Sequence, residues 1–365
     1  MRTVKVDLGD KSYDILIGHK LDQQIADFVR KQLDKKAFSK KALIITDSNI
    51  EPLYGDRVKK LLDSAGLDAK LAVIPAGESS KSLAMAEELF TKAIEHGLDR
   101  KSPVFTLGGG VVGDLGGFVA ATFMRGVPFV QMPTSLLAQV DSSVGGKVAV
   151  NHALGKNLIG AFYQPRAVFM DLDMMKSLPQ REIYTGLGEV VKYGFIYDRD
   201  FYRFLLSSSK AVLNLDMDAI SHVIARSCEI KAAVVSQDEK ESGLRAILNF
   251  GHTLGHAIEK ETHYTRYNHG EAVAIGMVGA AIISAELGRV DSSIVDDMKN
   301  ILTVMQLPQK AQGCSVDNIY KDIFHDKKTV GGKVSWILLD DIGKVSIVKD
   351  VPESAVKKAI AQILA

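Results

Sequence analysis

Histidine is concentrated in one short stretch of the chain. His252, His256, His263 and His269 lie within 18 positions of one another. His252 and His256 are four residues apart, so both imidazoles project from one face if the segment is helical. This is the spacing of helical histidine pairs in zinc sites, although no Glu follows the first His and the zinc-protease signature is absent. Each histidine taken alone is more often a packed or capping residue than a metal ligand.

A carboxylate upstream can complete such a site. Glu189 and Lys192 are spaced i,i+3 within an otherwise apolar segment. The pair is compatible with a simple surface ion pair. The apolar neighbours leave little polar surface, however, which favours a carboxylate bound to something such as a metal. Glu189 and the histidines together therefore predict a mononuclear divalent-metal site, and three N/O ligands with an open position would suit catalytic zinc.

A glycine-rich turn supplies a second chemical feature. Six glycines occupy the ten positions from Gly108 to Gly117, directly after an apolar strand-like run. Glycines let backbone N–H groups approach an anion, and a helix N-terminus favours negative charge, so a diphosphate is the expected ligand. The segment is neither a Walker loop nor a strict GxGxxG. The alternative is a tight turn selected for helix–sheet packing.

Polar residues follow two further strand-like runs. They form the segments Asp47–Asn49 and Ala76–Lys81. The carboxyl ends of strands are where open α/β sheets bind ligands, and an acidic residue there can hold the hydroxyls of a ribose. Such residues also cap helices. Together with the glycine-rich turn they favour NAD(H) over ATP.

Basic residues indicate an anionic substrate. Lys231 falls in register with Ile224, Cys228 and Val235 on a predicted helix, and a lysine on an apolar stripe is costly unless it is paired. Snorkelling of Lys231 along the helix and a solubilising role for the loop lysines are the alternatives. The cationic set comprises Arg125, Lys147, Lys156, Lys192, Lys231, Arg245 and Lys328. A cluster of these would suit a substrate that carries phosphate and carboxylate.

The elements that must position these residues change character along the chain. In the first half, apolar strands alternate with helical patterns such as Ile50–Ala65 and Ser82–His96, which is typical of a parallel sheet covered on both faces. The predicted strands are Ala42–Thr46, Leu71–Ile74, Val104–Leu107, Phe129–Met132 and Val168–Asp171. We therefore expect a Rossmann-like α/β domain with right-handed crossovers over residues 1–178.

From about Gln180, segments with a 3.6-residue period dominate and predict an all-helical second domain over residues 179–365. The predicted helices are Glu182–Ile196, Ala219–Gln237, Asn249–Glu261, Glu271–Leu287, Asp291–Met305 and Glu353–Leu364. Lys333–Leu338 and Lys344–Val348 predict a hairpin near the end. A site in the cleft between two such domains is the default expectation.

Composition narrows the class of protein. The 365 residues are 46% hydrophobic and 24% charged, which is typical of globular domains and excludes a mainly disordered chain. The net charge of +1 argues against a nucleic-acid binder. Two cysteines cannot build a disulfide framework. No run approaches the roughly 20 apolar residues of a membrane span, and the charged first ten residues do not predict a secretory signal. We expect a cytoplasmic protein without membrane partners.

Several long motifs follow one another along the chain: Gly108–Asp114, Asp141–Lys147, Gly155–Pro165, Gly188–Lys192, Leu248–His256 and His269–Glu271. Together, and over nearly the whole chain, they resemble the 3-dehydroquinate synthase family. The resemblance implies an NAD-binding Rossmann-like domain followed by a helical metal-binding domain, in a homodimer. It also implies the conversion of 3-deoxy-D-arabino-heptulosonate 7-phosphate to 3-dehydroquinate and phosphate. In this reaction hydride is removed and returned within one cycle, phosphate leaves by β-elimination, and an aldol closure forms the ring.

The resemblance also implies residue roles. The divalent metal, Zn2+ or Co2+, would be bound by Glu189, His252 and His269, while His256 would lie near the substrate and help proton transfer. The implied substrate and catalytic residues are Lys147, Asn157, Lys192, Lys231, Arg245, Asn249, His256, Asp141, Lys156 and Lys328, with Arg125 reaching in from the partner subunit. Lys327 and Lys333 compete with Lys328 for the C-terminal position. The NAD contacts would come from Asp47, Asn49, Ala76, Gly77, Glu78, Ser79, Ser80, Lys81, Gly109, Gly110, Val111, Val112, Gly113, Asp114, Thr134, Ser135, Lys147, Lys156, Met174, Met175, Lys176 and Ser177.

Three alternatives remain open at this point. A metal-dependent polyol or alcohol dehydrogenase shares the two-domain plan but, with neutral substrates, needs fewer cations. A related sugar-phosphate cyclase that makes an inosose or a valiolone would act on a substrate without a carboxylate, and Lys231 together with Arg245 weighs against it. A non-enzymatic NAD-binding regulator would have no use for the Glu189, His252 and His269 set.

Overall fold

The computed structural model describes residues 1–323, 329, 330 and 333–365. The chain divides into two compact units. The first comprises residues 1–178 and 231–239, and the second comprises residues 179–230 and 240–365.

A seven-stranded sheet forms the centre of the first unit. Its strands are β1 (Arg2–Val6), β2 (Tyr13–Gly18), β3 (Lys41–Asp47), β4 (Asp68–Ile74), β5 (Val104–Gly108), β6 (Phe129–Pro133) and β9 (Ala167–Asp171). Their order is β1-β2-β9-β6-β5-β3-β4, and every neighbouring pair is parallel except β1 with β2. All residues of β5, β6 and β9 are buried, because a parallel sheet is covered on both faces.

Four helices accompany this sheet: α1 (Asp22–Asp34), α2 (Asp56–Ser64), α3 (Leu83–His96) and α4 (Gly110–Thr122). The segment predicted as one helix over Ile50–Ala65 consists of a π-helical turn, Glu51–Gly55, followed by α2. Ser82 caps α3 by accepting a hydrogen bond from the N–H of Met85, and serine is one of the preferred residues at this position. The predicted α/β class and all five predicted strands are confirmed.

Besides β1 and β2, this unit contains a second antiparallel pair of strands, which was not predicted. It pairs β7 (Lys147–His152) with β8 (Gly155–Phe162). The alternation in β7 places Val148 and Val150 in the core against α4, whereas most of β8 is exposed. Lys147 and Lys156, considered as loop lysines from the sequence, lie on these two strands.

The second unit is mainly helical. Its helices are α5 (Gln180–Ile196), α6 (Arg199–Ser207), α7 (Ser209–Leu213), α9 (His252–Glu261), α10 (His269–Glu286), α11 (Ser293–Val304), α12 (Val316–Ile323) and α13 (Glu353–Gln362). Helix α8 (Met217–Gln237) belongs to this unit up to Ile230 and to the first unit from Lys231 onward. Helix α10 is buried from Ala272 to Ser284, with α5, α9, α11 and α13 packed around it.

Two short antiparallel ladders complete this unit. Strands β10 (Thr329–Val330) and β11 (Lys333–Val334) pair with each other, as do β12 (Trp336–Asp341) and β13 (Lys344–Val348). The predicted terminal hairpin is therefore present as β12 and β13, with its first strand beginning at Trp336 rather than Lys333.

The helix predicted over Asn249–Glu261 is wrong at its start. Residues Leu244–Asn249 form a short 3₁₀ helix, and α9 begins only at His252. Gly251 separates the two with a φ of 79°, a left-handed conformation that glycine adopts without a steric penalty. A Cβ on Gly251 would lie 2.6 Å from Cγ of Met277, so the break also permits close packing on α10.

Among the described residues, no helix is both long and apolar enough to cross a membrane.

Candidate functional site

The carboxyl ends of the parallel strands form one edge of the sheet, and the predicted nucleotide residues follow those ends. Asp47 ends β3, the segment 76–81 follows β4, the glycine-rich turn follows β5, and Thr134 follows β6. The residues Met174–Ser177 follow β9 in a 3₁₀ helix. The strand order reverses between β3 and β5, which is where open sheets of this kind bind ligands.

The glycine-rich turn leads directly from β5 into α4. Gly109 is the N-cap residue and, as a glycine, has no side chain to cap the first backbone N–H groups of the helix. A Cβ on Gly110 would lie 3.2 Å from Oγ of Ser142, and one on Gly109 would lie 3.5 Å from Oγ of Ser135. Uncapped N–H groups at the start of a 13-residue helix make this a site suited to a diphosphate.

The glycines of this turn divide between two roles. A Cβ on Gly116 would lie 2.3 Å from Cγ2 of Thr106, and one on Gly117 would lie 2.3 Å from Cγ1 of Val148. These two positions therefore permit close helix–sheet packing, the alternative considered from the sequence. The glycines at the helix start remain available for an anion.

Charged and polar side chains at the carboxyl edge of the sheet form ion pairs and hydrogen bonds. Lys81 is buried and forms an ion pair with the partly buried Asp114. Burial raises the pKa of Asp114, and the charge of Lys81 opposes that shift. Glu78 accepts a hydrogen bond from Nδ2 of Asn151 at 2.7 Å. Asp47 accepts hydrogen bonds from the backbone N–H groups of residues 49 and 50 at 2.8 and 3.1 Å, so its carboxylate stabilises the turn that follows β3.

Hydrogen bonds hold three of the predicted NAD residues in place: Thr134, Ser135 and Ser177. The Thr134 N–H donates to the Gly108 carbonyl at 3.0 Å, and the Ser177 hydroxyl lies 2.8 Å from that of Tyr54. The Ser135 hydroxyl accepts from the N–H of Ala138 at 3.3 Å.

Lys231 is buried, with only 5% of the residue exposed, and its Nζ donates to both the backbone carbonyl and the carboxylate of Asp141 at 2.7 and 2.8 Å. Asp141 therefore offsets the cost of burying the ammonium group. Lys147 starts β7, while Lys156 and Asn157 lie on β8. Arg125 is exposed in the turn after α4, with a left-handed φ of 68°.

Three side chains meet in the second unit as the family resemblance implied. Nε2 of His252 lies 3.3 Å from Oε1 of Glu189, and Nε2 of His269 lies 3.5 Å from the same oxygen. Helix α5 supplies Glu189, α9 begins with His252, and α10 begins with His269.

The arrangement fits a divalent ion. Oε1 of Glu189 is buried and has no hydrogen-bond partner among the described residues. Such an orphaned oxygen in a protein interior is costly, and a cation would satisfy it. Ligand atoms held about 2.0–2.1 Å from a tetrahedral zinc ion lie about 3.3–3.4 Å apart, which is close to the two observed separations.

The charges around Glu189 keep its carboxylate ionised, whereas His269 must lose a proton before it can bind an ion. Burial alone would raise the pKa of Glu189, but the ion pair with Lys192 and the two histidines hold it well below its usual value. Burial lowers the pKa of His252 to about 4, so its imidazole is neutral at pH 7. Burial would also lower the pKa of His269, but Glu259 and Glu189 outweigh it and raise the pKa to about 10 in the ion-free protein.

Glu259 is a buried residue beside this site that was not predicted from the sequence. Its carboxylate lies 3.2 Å from Nδ1 of His269, and with His256 and His269 it forms a second group of donors close enough to share an ion. The available signal was its position three residues after His256 on the same helix face. His256 itself lies beside the first group, with its ring centroid 5.5 Å from that of His252.

Further predicted substrate residues lie in the second unit. Lys192 and Arg245 are each only 1% exposed. Asn249, four residues after Arg245 in the 3₁₀ helix, donates its Nδ2 to Glu241 at 2.7 Å. Lys327 and Lys328 lie outside the described residues.

Comparison with known proteins identifies the family. A family model described as 3-dehydroquinate synthase N-terminal matches residues 71–185, and one described as 3-dehydroquinate synthase C-terminal matches residues 186–329. A 3-dehydroquinate synthase of Desulforamulus reducens is 48% identical over 99% of this chain and 100% of its own length. One of Caldanaerobacter subterraneus subsp. tengcongensis is 46% identical over 98% of this chain and 99% of its own length.

Solved structures share the fold. A 2-deoxy-scyllo-inosose synthase complexed with carbaglucose-6-phosphate, NAD+ and Co2+ is 26% identical, and the match covers 100% of both chains with a TM-score of 0.90. A probable glycerol dehydrogenase from Sinorhizobium meliloti, at 18% identity and a TM-score of 0.63 over 96% of this chain and 95% of that one, shares the fold alone. The two family models and the full-length relatives show that this chain belongs to the 3-dehydroquinate synthase family.

Proposed function

We propose that this chain converts 3-deoxy-D-arabino-heptulosonate 7-phosphate to 3-dehydroquinate and phosphate, as a carbon–oxygen lyase of aromatic amino-acid biosynthesis. The observation that carries the proposal is the trio of Glu189, His252 and His269 around one orphaned carboxylate oxygen, in a chain whose relatives of 45–48% identity are 3-dehydroquinate synthases. A non-enzymatic NAD-binding protein would have no use for this trio.

We assign the two cofactors to different units. NAD would bind at the carboxyl edge of the sheet, with its diphosphate on the uncapped start of α4. A divalent ion, Zn2+ or Co2+, would bind Glu189, His252 and His269. The inosose synthase relative, which was solved with NAD+ and Co2+, supports this assignment. When bound, NAD supplies a reversible hydride acceptor and the metal supplies a Lewis acid for substrate oxygens.

The chain's own residues bind and orient the anionic substrate. Lys192 and Arg245 hold their charges almost out of contact with water, where each acts more strongly on a phosphate or carboxylate than it would at the surface. Lys147, Lys156, Asn157, Lys231 and Asn249 are assigned to the same task. His256 is half-buried beside the ligand trio and is assigned to proton transfer.

A homodimer in the cytoplasm completes the proposal. Leu154, Leu158 and Phe162 on or beside β8 are exposed to 87%, 47% and 40%. A cluster of exposed apolar side chains favours an interface. Arg125, exposed in its turn, would act in the partner's site. Light scattering at micromolar concentration should give twice the mass of one chain.

Substrate choice is the direct test, because a structural relative, the 2-deoxy-scyllo-inosose synthase, was solved with carbaglucose-6-phosphate, which carries a phosphate but no carboxylate. Purified protein with NAD and Co2+ should form 3-dehydroquinate from the heptulosonate phosphate and leave glucose 6-phosphate and sedoheptulose 7-phosphate unchanged. Formation of an inosose or a valiolone, with no dehydroquinate, would reassign the chain to a sister cyclase.

A further inference from the structure

Glu259 lies behind the ligand trio. It is on α9, its side chain is only 9% exposed, and Oε2 lies 3.2 Å from Nδ1 of His269. The other ring nitrogen of His269, Nε2, points toward Glu189. The ring of His269 thus lies between the two carboxylates.

The chemistry of this contact determines the tautomer of His269. An ionised carboxylate can only accept hydrogen bonds, so a neutral His269 must carry its proton on Nδ1 when it faces Glu259. The lone pair is then on Nε2, the nitrogen that faces Glu189. His252 is held in the same way, since its Nδ1 lies 3.1 Å from the backbone carbonyl of Phe250 while its Nε2 faces Glu189.

We propose that Glu259 is a positioning residue that fixes the tautomer and ring orientation of His269 for metal binding; the inference rests on the metal site of the proposed function. A carboxylate on the far nitrogen of a ligating histidine also makes the ring a stronger donor, and losing such a partner typically costs about 10–100-fold in metal affinity. Glu259 itself does not bind the ion.

The main chain of His269 is held independently of Glu259. Asn268 and Glu271 form a capping box at the start of α10, and Arg181 donates two hydrogen bonds to Glu271 at 3.0 and 2.8 Å. Changing Glu259 should therefore disturb the ring of His269 rather than the helix that carries it.

The test is a Co2+ titration of the full-length protein at one fixed pH, followed by the visible d–d absorption of the ion. Glu259→Gln and Glu259→Asp are compared with wild type, with Glu189→Gln, and with Glu261→Gln. Glu261 is on the same helix but accepts a hydrogen bond from Asn318, so it is the matched control. Circular dichroism confirms that each variant is folded.

We expect Glu259→Gln to raise the Kd for Co2+ about 10–100-fold with an unchanged d–d spectrum, because the three ligands stay the same. Glu259→Asp should recover part of the affinity, and Glu261→Gln should match wild type. A wild-type Kd in Glu259→Gln would overturn the proposal. A changed spectrum, or a loss as complete as that in Glu189→Gln, would overturn it by making Glu259 a ligand. Failure of the wild-type protein to bind Co2+ would instead contradict the metal site of the proposed function.

Discussion

At the scale of single residues, the site depends on buried charges that are held by specific partners. Glu189 is fully buried beside Lys192, and Lys231 is buried against Asp141. Breaking such a pair is costly, because the remaining charge stays in a poorly solvated place. These residues are therefore expected to be sensitive both in stability and in activity.

The sequence showed part of this site but not all of it. The spacing of His252 and His256 indicated a metal, yet it pairs two residues of which only His252 joins Glu189 and His269 in the trio that the family resemblance implied. The third member, His269, comes from another helix, and a contact between helices leaves no periodic signal along one of them. The i,i+3 spacing of His256 and Glu259 was visible in the sequence, but the contact of Glu259 with His269 on α10 was not, because it too joins two helices.

Removing the metal should abolish turnover. Dialysis against a chelator should leave the protein folded but inactive, and Zn2+ or Co2+ should restore activity at one ion per chain. Elemental analysis before and after dialysis provides the check. Full activity in a sample shown to contain no metal would refute the role assigned to the trio.

Lys231→Ala should lower kcat/KM by about 30-fold or more, since truncating one member of a desolvated charge contact typically costs about 2–5 kcal/mol. The reason is that both a substrate anion and Asp141 lose the buried ammonium group. Lys210→Ala, at an exposed lysine, is the matched control and should behave as wild type. Unchanged kinetic constants in Lys231→Ala would show that this lysine does not contact the substrate.

At the scale of elements, glycine contacts bring the ligand-bearing helices together. A Cβ on Gly188 would lie 2.2 Å from the carbonyl oxygen of Gly270, and one on Gly270 would lie 1.8 Å from that of Thr185. These glycines adjoin Glu189 and His269 in the chain, so α5 and α10 approach each other closely next to the ligand trio. The sequence revealed both helices through their apolar periodicity but could not show where they touch.

Gly270→Ala should therefore destabilise the protein by about 1–3 kcal/mol, the usual cost of overpacking, and weaken Co2+ binding. Gly55→Ala is the matched control, because its Cβ would meet only the flexible side chain of Glu51, at 3.1 Å. Chemical unfolding measures the first effect and Co2+ titration the second. Equal behaviour of the two variants would contradict the packing argument.

Asp198, the N-cap residue of α6, is expected to make the stability of the protein depend on pH. Burial alone would raise the pKa of Asp198, but backbone hydrogen bonds from the helix start and the pairing with Arg226 lower it below the usual 3.8. Because the folded-state pKa is depressed, its stabilising effect is complete above the unfolded value and is lost as the pH falls through the folded one.

Asp198→Ala should lower the free energy of unfolding by about 1 kcal/mol at pH 7, the typical cost of losing an N-cap, and the difference from wild type should shrink below about pH 4. Asp200→Ala, at a side chain 87% exposed on the same turn, should have little effect. Urea unfolding at several pH values provides the measurement. A difference that stays constant down to pH 3 would be inconsistent with a titrating cap.

At the scale of the whole molecule, the change in periodicity near Pro179 predicted the change from an α/β region to a mainly helical one. Buried parallel strands and long amphipathic helices have strong patterns, and both were predicted. The β7–β8 hairpin was missed, because β8 is largely exposed and lacks the alternation of a half-buried strand. The break at Gly251 was missed, because a left-handed glycine only locally interrupts an otherwise helical pattern.

In the proposed reaction, the NAD bound at the carboxyl edge of the sheet accepts a hydride and returns it within one catalytic cycle, so NAD is not consumed. Phosphate release and NADH absorbance should be measured on one sample that contains the heptulosonate phosphate, Co2+ and far less NAD than substrate. We predict that phosphate released exceeds the NAD added many-fold while NADH does not accumulate. Phosphate limited to the amount of NAD supplied, with an equal amount of NADH, would show that the hydride is not returned and would contradict the proposed reaction.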